Sequence, residues 1–188
     1  TSNIIQILFT YLKKSNIMIL YRIKEIFGGK MVNNDILRRV RYALNLKDSV
    51  MLEIFKSADC IITHEELLNL LKKEDEEGFE KCNNKILEAF LNGLIILKRG
   101  KQEPKPGETI QEVKINRNNI NNIILKKLKI ALSFRSDDML KIFKLAGLEL
   151  SSSELSALFR KEDHKNYREC GDKYIRNFLK GLTIYYRG

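Results

Sequence analysis

Residues 33–100 reappear, shifted by 88 positions and without a gap, as residues 121–188. Asn33-Asn34 meets Asn121-Asn122, and Met51-Leu52 meets Met139-Leu140. Ile54-Phe55-Lys56 meets Ile142-Phe143-Lys144, and Lys73-Glu74-Asp75 meets Lys161-Glu162-Asp163. Cys82 falls on Cys170, Gly93 on Gly181, and Arg99-Gly100 on Arg187-Gly188. Self-similarity of this length marks a duplicated structural unit. Whatever one copy folds into, the other must fold into as well.

Each copy reads as four short helices. Leu37, Val40 and Leu44 share one helical face, as do Leu125, Leu128 and Leu132. The spacing predicts a first helix from about Asn34 to Leu46. A second starts at Asp48 or Ser136, both residue types that cap helix N-termini. Its apolar face is Met51, Ile54, Phe55 and Ala58, repeated as Met139, Ile142, Phe143 and Ala146. Gly147 suits a left-handed stop after that helix. Thr63-x-x-Glu66 and Ser151-x-x-Glu154 are capping boxes that open the third helix. Its buried stripe is Leu67, Leu70 and Leu71, or Leu155, Leu158 and Phe159. The fourth starts near Asn83 or Gly171 and buries Leu87, Phe90, Leu91 and Leu94, or Ile175, Phe178, Leu179 and Leu182. If Asn83 is its cap, Cys82 is placed to staple onto Leu87, and Cys170 onto Ile175.

Gly93 and Gly181 stand inside that last helix, where glycine costs about 1 kcal/mol relative to alanine. Glycine at one register in both copies predicts close approach by another backbone. Gly100 and Gly188 suit the position just past a helix end, after Arg99 and Arg187. The expected fold class is therefore all-α: two similar four-helix units, related by a pseudo-twofold or a translation.

The domains follow. Residues 1–30 form an N-terminal extension, 31–100 the first unit, 101–119 a polar linker with Pro104, Pro106 and Gly107, and 120–188 the second unit. The extension has two apolar runs, Ile4–Leu12 and Ile17–Tyr21, split by Lys13 and Lys14. Neither reaches the roughly 20 residues that span a bilayer, and no secretory cleavage pattern follows. Gly28-Gly29-Lys30-Met31 is what a purine-rich ribosome-binding sequence before a start codon would encode. The expectation is that Met31 is the natural start and residues 1–30 are translated upstream sequence. The rival reading is an amphipathic helix packed on the body or on a membrane surface.

Three cysteines, Cys60, Cys82 and Cys170, make an odd number without metal-ligand spacing, which points to reduced thiols in a cytoplasmic protein. Enzyme signatures are missing: no phosphate-binding glycine loop, no nucleophile elbow, no H-E-x-x-H. His164 and Cys170 lack the two further ligands a zinc site needs. The acidic run Glu74–Glu77 reads as a solvated loop. The expectation is a protein that is not an enzyme and has no cofactor, metal or membrane span.

Three runs carry a family resemblance: Asn33–Asp48, then Leu158-Phe-Arg-Lys with His164–Asp172, and Arg176–Leu182. They resemble the bacterial YehS-like family of tandem copies of a short domain of unknown function. The resemblance covers residues 31–188. It implies the duplication and a start at Met31, and it transfers no catalytic residue.

Function is left to charge. The formal net charge is +10. Residues 33–100 carry 11 Lys/Arg against 12 Asp/Glu, whereas residues 121–188 carry 14 against 8, a split of −1 against +6 on one repeated scaffold. The second copy gathers Arg160, Lys161, Lys165, Arg168, Arg176 and Lys180, with Tyr167 among them. Basic side chains with an interleaved aromatic suit a phosphate backbone and a stacked base. Tyr167 by itself, opposite Phe79 in the first copy, reads as core. Residues 142–160 also have the rhythm of a helix-turn-helix, but the connection through Leu148-Glu149-Leu150 is long for that motif. In the first copy, His64, Glu65 and Glu66 would set carboxylates against phosphates. Two readings remain: a nucleic-acid binder, RNA or ribosome ahead of DNA, and a protein-interaction module that presents a helical groove.

Overall fold

The computed structural model describes residues 31–101, 116 and 119–188. The expectations attached to the N-terminal extension and to most of the linker lie outside these residues. Eight α-helices make up the described chain, with no strand among them: α1 (Asn33–Ala43), α2 (Asp48–Ser57), α3 (His64–Leu71), α4 (Asn84–Arg99), α5 (Ile120–Ala131), α6 (Ser136–Leu145), α7 (Ser152–Leu158) and α8 (Asp172–Arg187). The fold is a duplicated all-α architecture, four helices per copy.

The two copies bury the same positions. Leu37 and Leu125, Met51 and Met139, Ile54 and Ile142, Phe90 and Phe178, and Leu94 and Leu182 are all inaccessible to solvent. The core aromatics pair alike, Phe55 with Phe90 at 5.6 Å between ring centroids and Phe143 with Phe178 at 5.5 Å. Cys82 and Cys170 are buried just before α4 and α8, as are Leu87 and Ile175 within them. The expected stripes slip in places: Ala58, Leu71 and Phe159 are only half-buried, and so are Leu44 and Leu132 in the first helices. Ala43 and Ala131 take the buried places there.

The capping boxes form. In α3 the Thr63 hydroxyl accepts from the Glu66 amide (3.1 Å) and Glu66 accepts from the Thr63 amide (2.6 Å). In α7 Ser151 and Glu154 repeat the exchange at 3.2 and 2.9 Å. Asn83 caps α4 through its side-chain oxygen, 3.0 Å from the Ile86 amide. The second helices differ from expectation. Asp48 and Ser136 are the first helical residues, and the extended residues Lys47 and Arg135 hold the cap positions. The Asp48 carboxylate has other employment: Arg41 donates to it at 2.5 Å, and His64 lies 3.1 Å away. At α6, Asp138 caps instead by accepting from the Arg135 amide at 2.7 Å.

Residues 32–188 form one compact unit. Inside each copy the last helix lies on the second, α4 on α2 and α8 on α6. Between copies the packing is reciprocal. Helix α1 lies on α8, and its counterpart α5 lies on α4, the counterpart of α8. A translation would give one of these two seams but not both, so the copies are related by a pseudo-twofold. Two arginines follow the same symmetry. Arg99 donates to the Ile130 carbonyl (3.4 Å) and to Ser133 (3.2 Å). Arg187, its repeat partner, donates to the Tyr42 carbonyl (2.9 Å) and to Asn45 (3.2 Å). These arginines reach across to the other copy, a role beyond the one expected at their own helix ends.

Candidate nucleic-acid interface

A buried asparagine shapes the loop before the last helix in each copy. Asn122 is 7% exposed. Its amide donates to the carbonyls of Leu158 (2.8 Å) and Arg168 (2.9 Å). Its oxygen accepts from the Cys170 amide (2.9 Å) and from the Tyr167 hydroxyl (3.1 Å). Asn34 repeats the pattern with Leu70, Glu80 and Cys82. Buried polar groups need such partners, because an unpaired one costs about 1–3 kcal/mol. One side chain thus ties the end of the third helix, the loop and the start of the fourth to the first helix. The sequence carried a signal for it, a polar identity shared by both copies inside an apolar stripe.

The loop built on this node displays three of the expected cations. Arg160, Lys161 and Lys165 line one open depression with Phe159, Asp163 and His164. Lys161 and Lys165 are exposed, while Arg160 donates to the Asn166 carbonyl at 3.2 Å. Arg168 turns elsewhere. It pairs with Glu154 at 3.4 Å and its guanidinium lies 5.3 Å from the centre of the Tyr174 ring. Tyr167 is half-buried, and burial, then Glu162 and Glu169, push its hydroxyl above the usual tyrosine range. Its hydrogen bond to Asn122 makes it a strut of the loop, half-buried where the sequence reading places its ring in the core. Arg176 and Lys180 sit one turn apart on α8, away from the loop in sequence. The seven residues therefore divide into a loop group and a helix group.

Nearby thiols are inert. Burial pushes Cys82 up to about 12, and burial with Asp172 and Glu169 does the same for Cys170. Among the described residues, no three His, Cys, Asp or Glu side chains gather as they would around a metal ion. No described helix is long and apolar enough to cross a membrane. The helix-turn-helix reading meets α6 and α7 separated by residues 146–151, beyond the three or four residues usual for that motif. Its second helix would be only Ser152–Leu158.

Residues 33–100 and 121–188 each match the family described as "Protein of unknown function (DUF1456)". The chain belongs to that family. The two matched blocks are the two structural copies, so the family's unit is one four-helix repeat. The chain is also 46% identical over 153 residues to "Uncharacterized protein YehS" of Escherichia coli (strain K12), covering 81% of this chain and 95% of that one. No solved structure matches.

Proposed function

We propose that this protein binds nucleic acid, RNA or the ribosome ahead of DNA, in the cytoplasm and without catalysing a reaction. The basic second repeat holds the phosphate backbone chiefly by charge. The observation that carries this reading is the split of −1 against +6 between copies of one scaffold. The copies bury equivalent residues, so the added cations of the second copy serve no shared folding need. Positive charge set out on a surface raises the local concentration and on-rate of a polyanion.

Labelled single-stranded RNA and duplex DNA, titrated with the full chain at two salt concentrations, test the reading. Binding should weaken as salt rises, with a log–log slope near −0.7 per phosphate neutralised on single strands and near −0.9 on duplex. Phosphate contacts carry no base information, so different sequences should bind alike. An absence of binding at low salt would overturn it.

A protein-interaction module is the second reading, and one observation favours it. Phe134, Tyr185 and Tyr186 form an aromatic cluster with centroids 5.1–6.4 Å apart. Tyr185 and Tyr186 remain 38% and 46% exposed after core packing. Exposed aromatics of this kind are enriched at protein interfaces.

A further inference from the structure

The loop before the last helix repeats its backbone in the two copies. In the first, the Glu76 amide donates to the Lys73 carbonyl (3.0 Å) and the Phe79 amide to the Glu76 carbonyl (3.1 Å). In the second, the His164 amide donates to the Lys161 carbonyl (3.0 Å) and the Tyr167 amide to the His164 carbonyl (2.7 Å). The amides of Glu80 and Arg168 close both loops onto the third helix, through the carbonyls of Asn69 and Ala157, each at 3.1 Å. The side chains on this shared backbone differ in charge. Lys72, Lys73, Asp75, Glu76 and Glu77 become Arg160, Lys161, Asp163, His164 and Lys165. Two cations against three carboxylates are replaced by three cations against one.

The hydrogen bonds separate the copies further. In the first loop Lys72 donates to the Asn69 side chain at 2.7 Å, and the Glu76 carboxylate accepts from the Lys73 amide at 2.6 Å. That loop spends its polar groups on itself. In the second, Arg160 gives the Asn166 carbonyl one N–H of the five that a guanidinium carries. The Asn166 amide donates to His164 Nδ1 at 3.1 Å, so that nitrogen carries no proton and Nε2 is left as a donor. A further cation comes from α5. Lys129 Nζ lies 4.8 Å from the centre of the Phe159 ring, one wall of the depression. Its counterpart Arg41 is held by Asp48. Of the loop's carboxylates, Glu162 accepts from Asn119 at 3.1 Å, and Asp163 lines the depression.

We infer that this depression receives the terminal phosphate of a single-stranded RNA, with Arg160, Lys161, His164 and Lys165 as its donors. The inference rests on the nucleic-acid reading above and names the group that its basic loop recognises. Donors gathered around one depression, not strung along a helix, suit one compact anion. A phosphate monoester carries about −1.5 to −2 charge at neutral pH and three strong acceptor oxygens, whereas each backbone diester carries a single charge. The depression is open, so a strand can enter by its end and continue across the repeat's other cations.

The test uses the full chain and one labelled single-stranded RNA in three forms: with a 5′-phosphate, with a 3′-phosphate, and with hydroxyls at both ends. A phosphorylated form should bind about tenfold or more tighter than the hydroxyl form at low salt, the effect of one or two charge-assisted hydrogen bonds. Which form does so identifies the end that enters. His164→Glu/Lys165→Glu gives the loop the carboxylates of the first copy and should abolish the preference. The first copy folds with Glu76 and Glu77 at these places, so misfolding would not explain the loss, and circular dichroism checks it. Lys161→Gln should reduce the preference, and Lys73→Gln, at the matching place in the first copy, should leave it unchanged. Equal binding of all three forms by the wild-type chain would overturn the inference and leave the nucleic-acid reading standing. A chain that binds none of them would overturn both. A preference that survives His164→Glu/Lys165→Glu would overturn the assignment to this loop. A phosphoserine peptide bound as tightly as the phosphorylated RNA would overturn the choice of RNA.

Discussion

The α-carbon of Gly181 faces the backbone carbonyl of Ile142 so closely that a β-carbon there would fall 1.9 Å from the carbonyl oxygen. Gly93 meets the Ile54 carbonyl in the same way, at 1.8 Å. The obstacle is backbone within a packed helix, not the movable end of a side chain. The last helix of each copy lies on the second only because glycine stands at that register. Overpacking typically costs about 1–3 kcal/mol, and here a whole helix must move. Gly181→Ala and Gly93→Ala should each destabilise by about 3 kcal/mol or more, read from urea unfolding. A loss below about 0.5 kcal/mol, the range of ordinary surface changes, would contradict the close approach.

Gly171 behaves in the opposite way. It holds the N-cap of α8 with no side-chain hydrogen bond, and a β-carbon there would meet nothing within 4 Å. Its counterpart Asn83 caps α4. Gly171→Asn should stabilise the protein by a few tenths of a kcal/mol, seen as a raised thermal midpoint. A lowered midpoint would show the site intolerant of a side chain.

Asn122 makes four hydrogen bonds from a buried site, and Asn121 makes one to Asp172 near the surface. Asn122→Leu strands the Cys170 amide and two carbonyls, at about 1–3 kcal/mol for each group left unpaired. It should cost several times more stability than Asn121→Ala in the same unfolding measurement. Equal costs would show that the buried node is not what organises the loop.

Burial raises the folded pKa of Cys82 and Cys170 from 9.0 to about 12. In both, the neutral thiol is the form the fold accommodates. The associated stability is fully present below pH 9 and is lost as pH rises toward 12, because the unfolded chain ionises first. Stability should therefore fall through that window, by up to about 1.4 kcal/mol per pH unit for each thiol. Cys82→Ala/Cys170→Ala should show a shallower fall. At pH 8 iodoacetamide should modify Cys60, which is half-buried, well before the other two. Equal labelling of all three would contradict the burial.

Most of the fold was legible because its determinants are local. Helical spacing gave the core positions, and Thr63, Glu66, Ser151, Glu154 and Asn83 announced their helix starts by side chains that act within one turn. Gly93 and Gly181 pointed to a close neighbour, though not to which one. Asp48 and Ser136 were misplaced by one residue: Asp48 spends its carboxylate on Arg41 and His64, beyond its own helix, and at α6 Asp138 takes the capping bond in place of Ser136. The reciprocal seams were not legible. Nothing in the periodicity of α1 or α8 distinguishes a pseudo-twofold from a translation. For the same reason the reach of Arg99 and Arg187 across to the other copy was not expected, and Tyr167 entered the candidate site although its hydroxyl is committed to Asn122. A charge list along the chain cannot tell a cation in a loop from one that faces a second helix.

The seams also make a prediction about the copies taken apart. A homodimer of residues 32–100 would set Arg39 against Glu88 at both seams. A homodimer of residues 120–188 would set Lys127 against Arg176 and Lys180 at both. Sedimentation at low salt should show the first fragment pairing more tightly than the second. The reverse order would contradict the pseudo-twofold assignment.

Capture of the full-length chain from native lysate, with and without nuclease, tests the functional account most directly. The account predicts that nucleic acid accompanies the protein at low salt, is removed by nuclease together with any proteins it carries, and is lost as salt rises. A protein partner that stays bound after nuclease, with no nucleic acid recovered before it, would contradict the account and favour an adaptor.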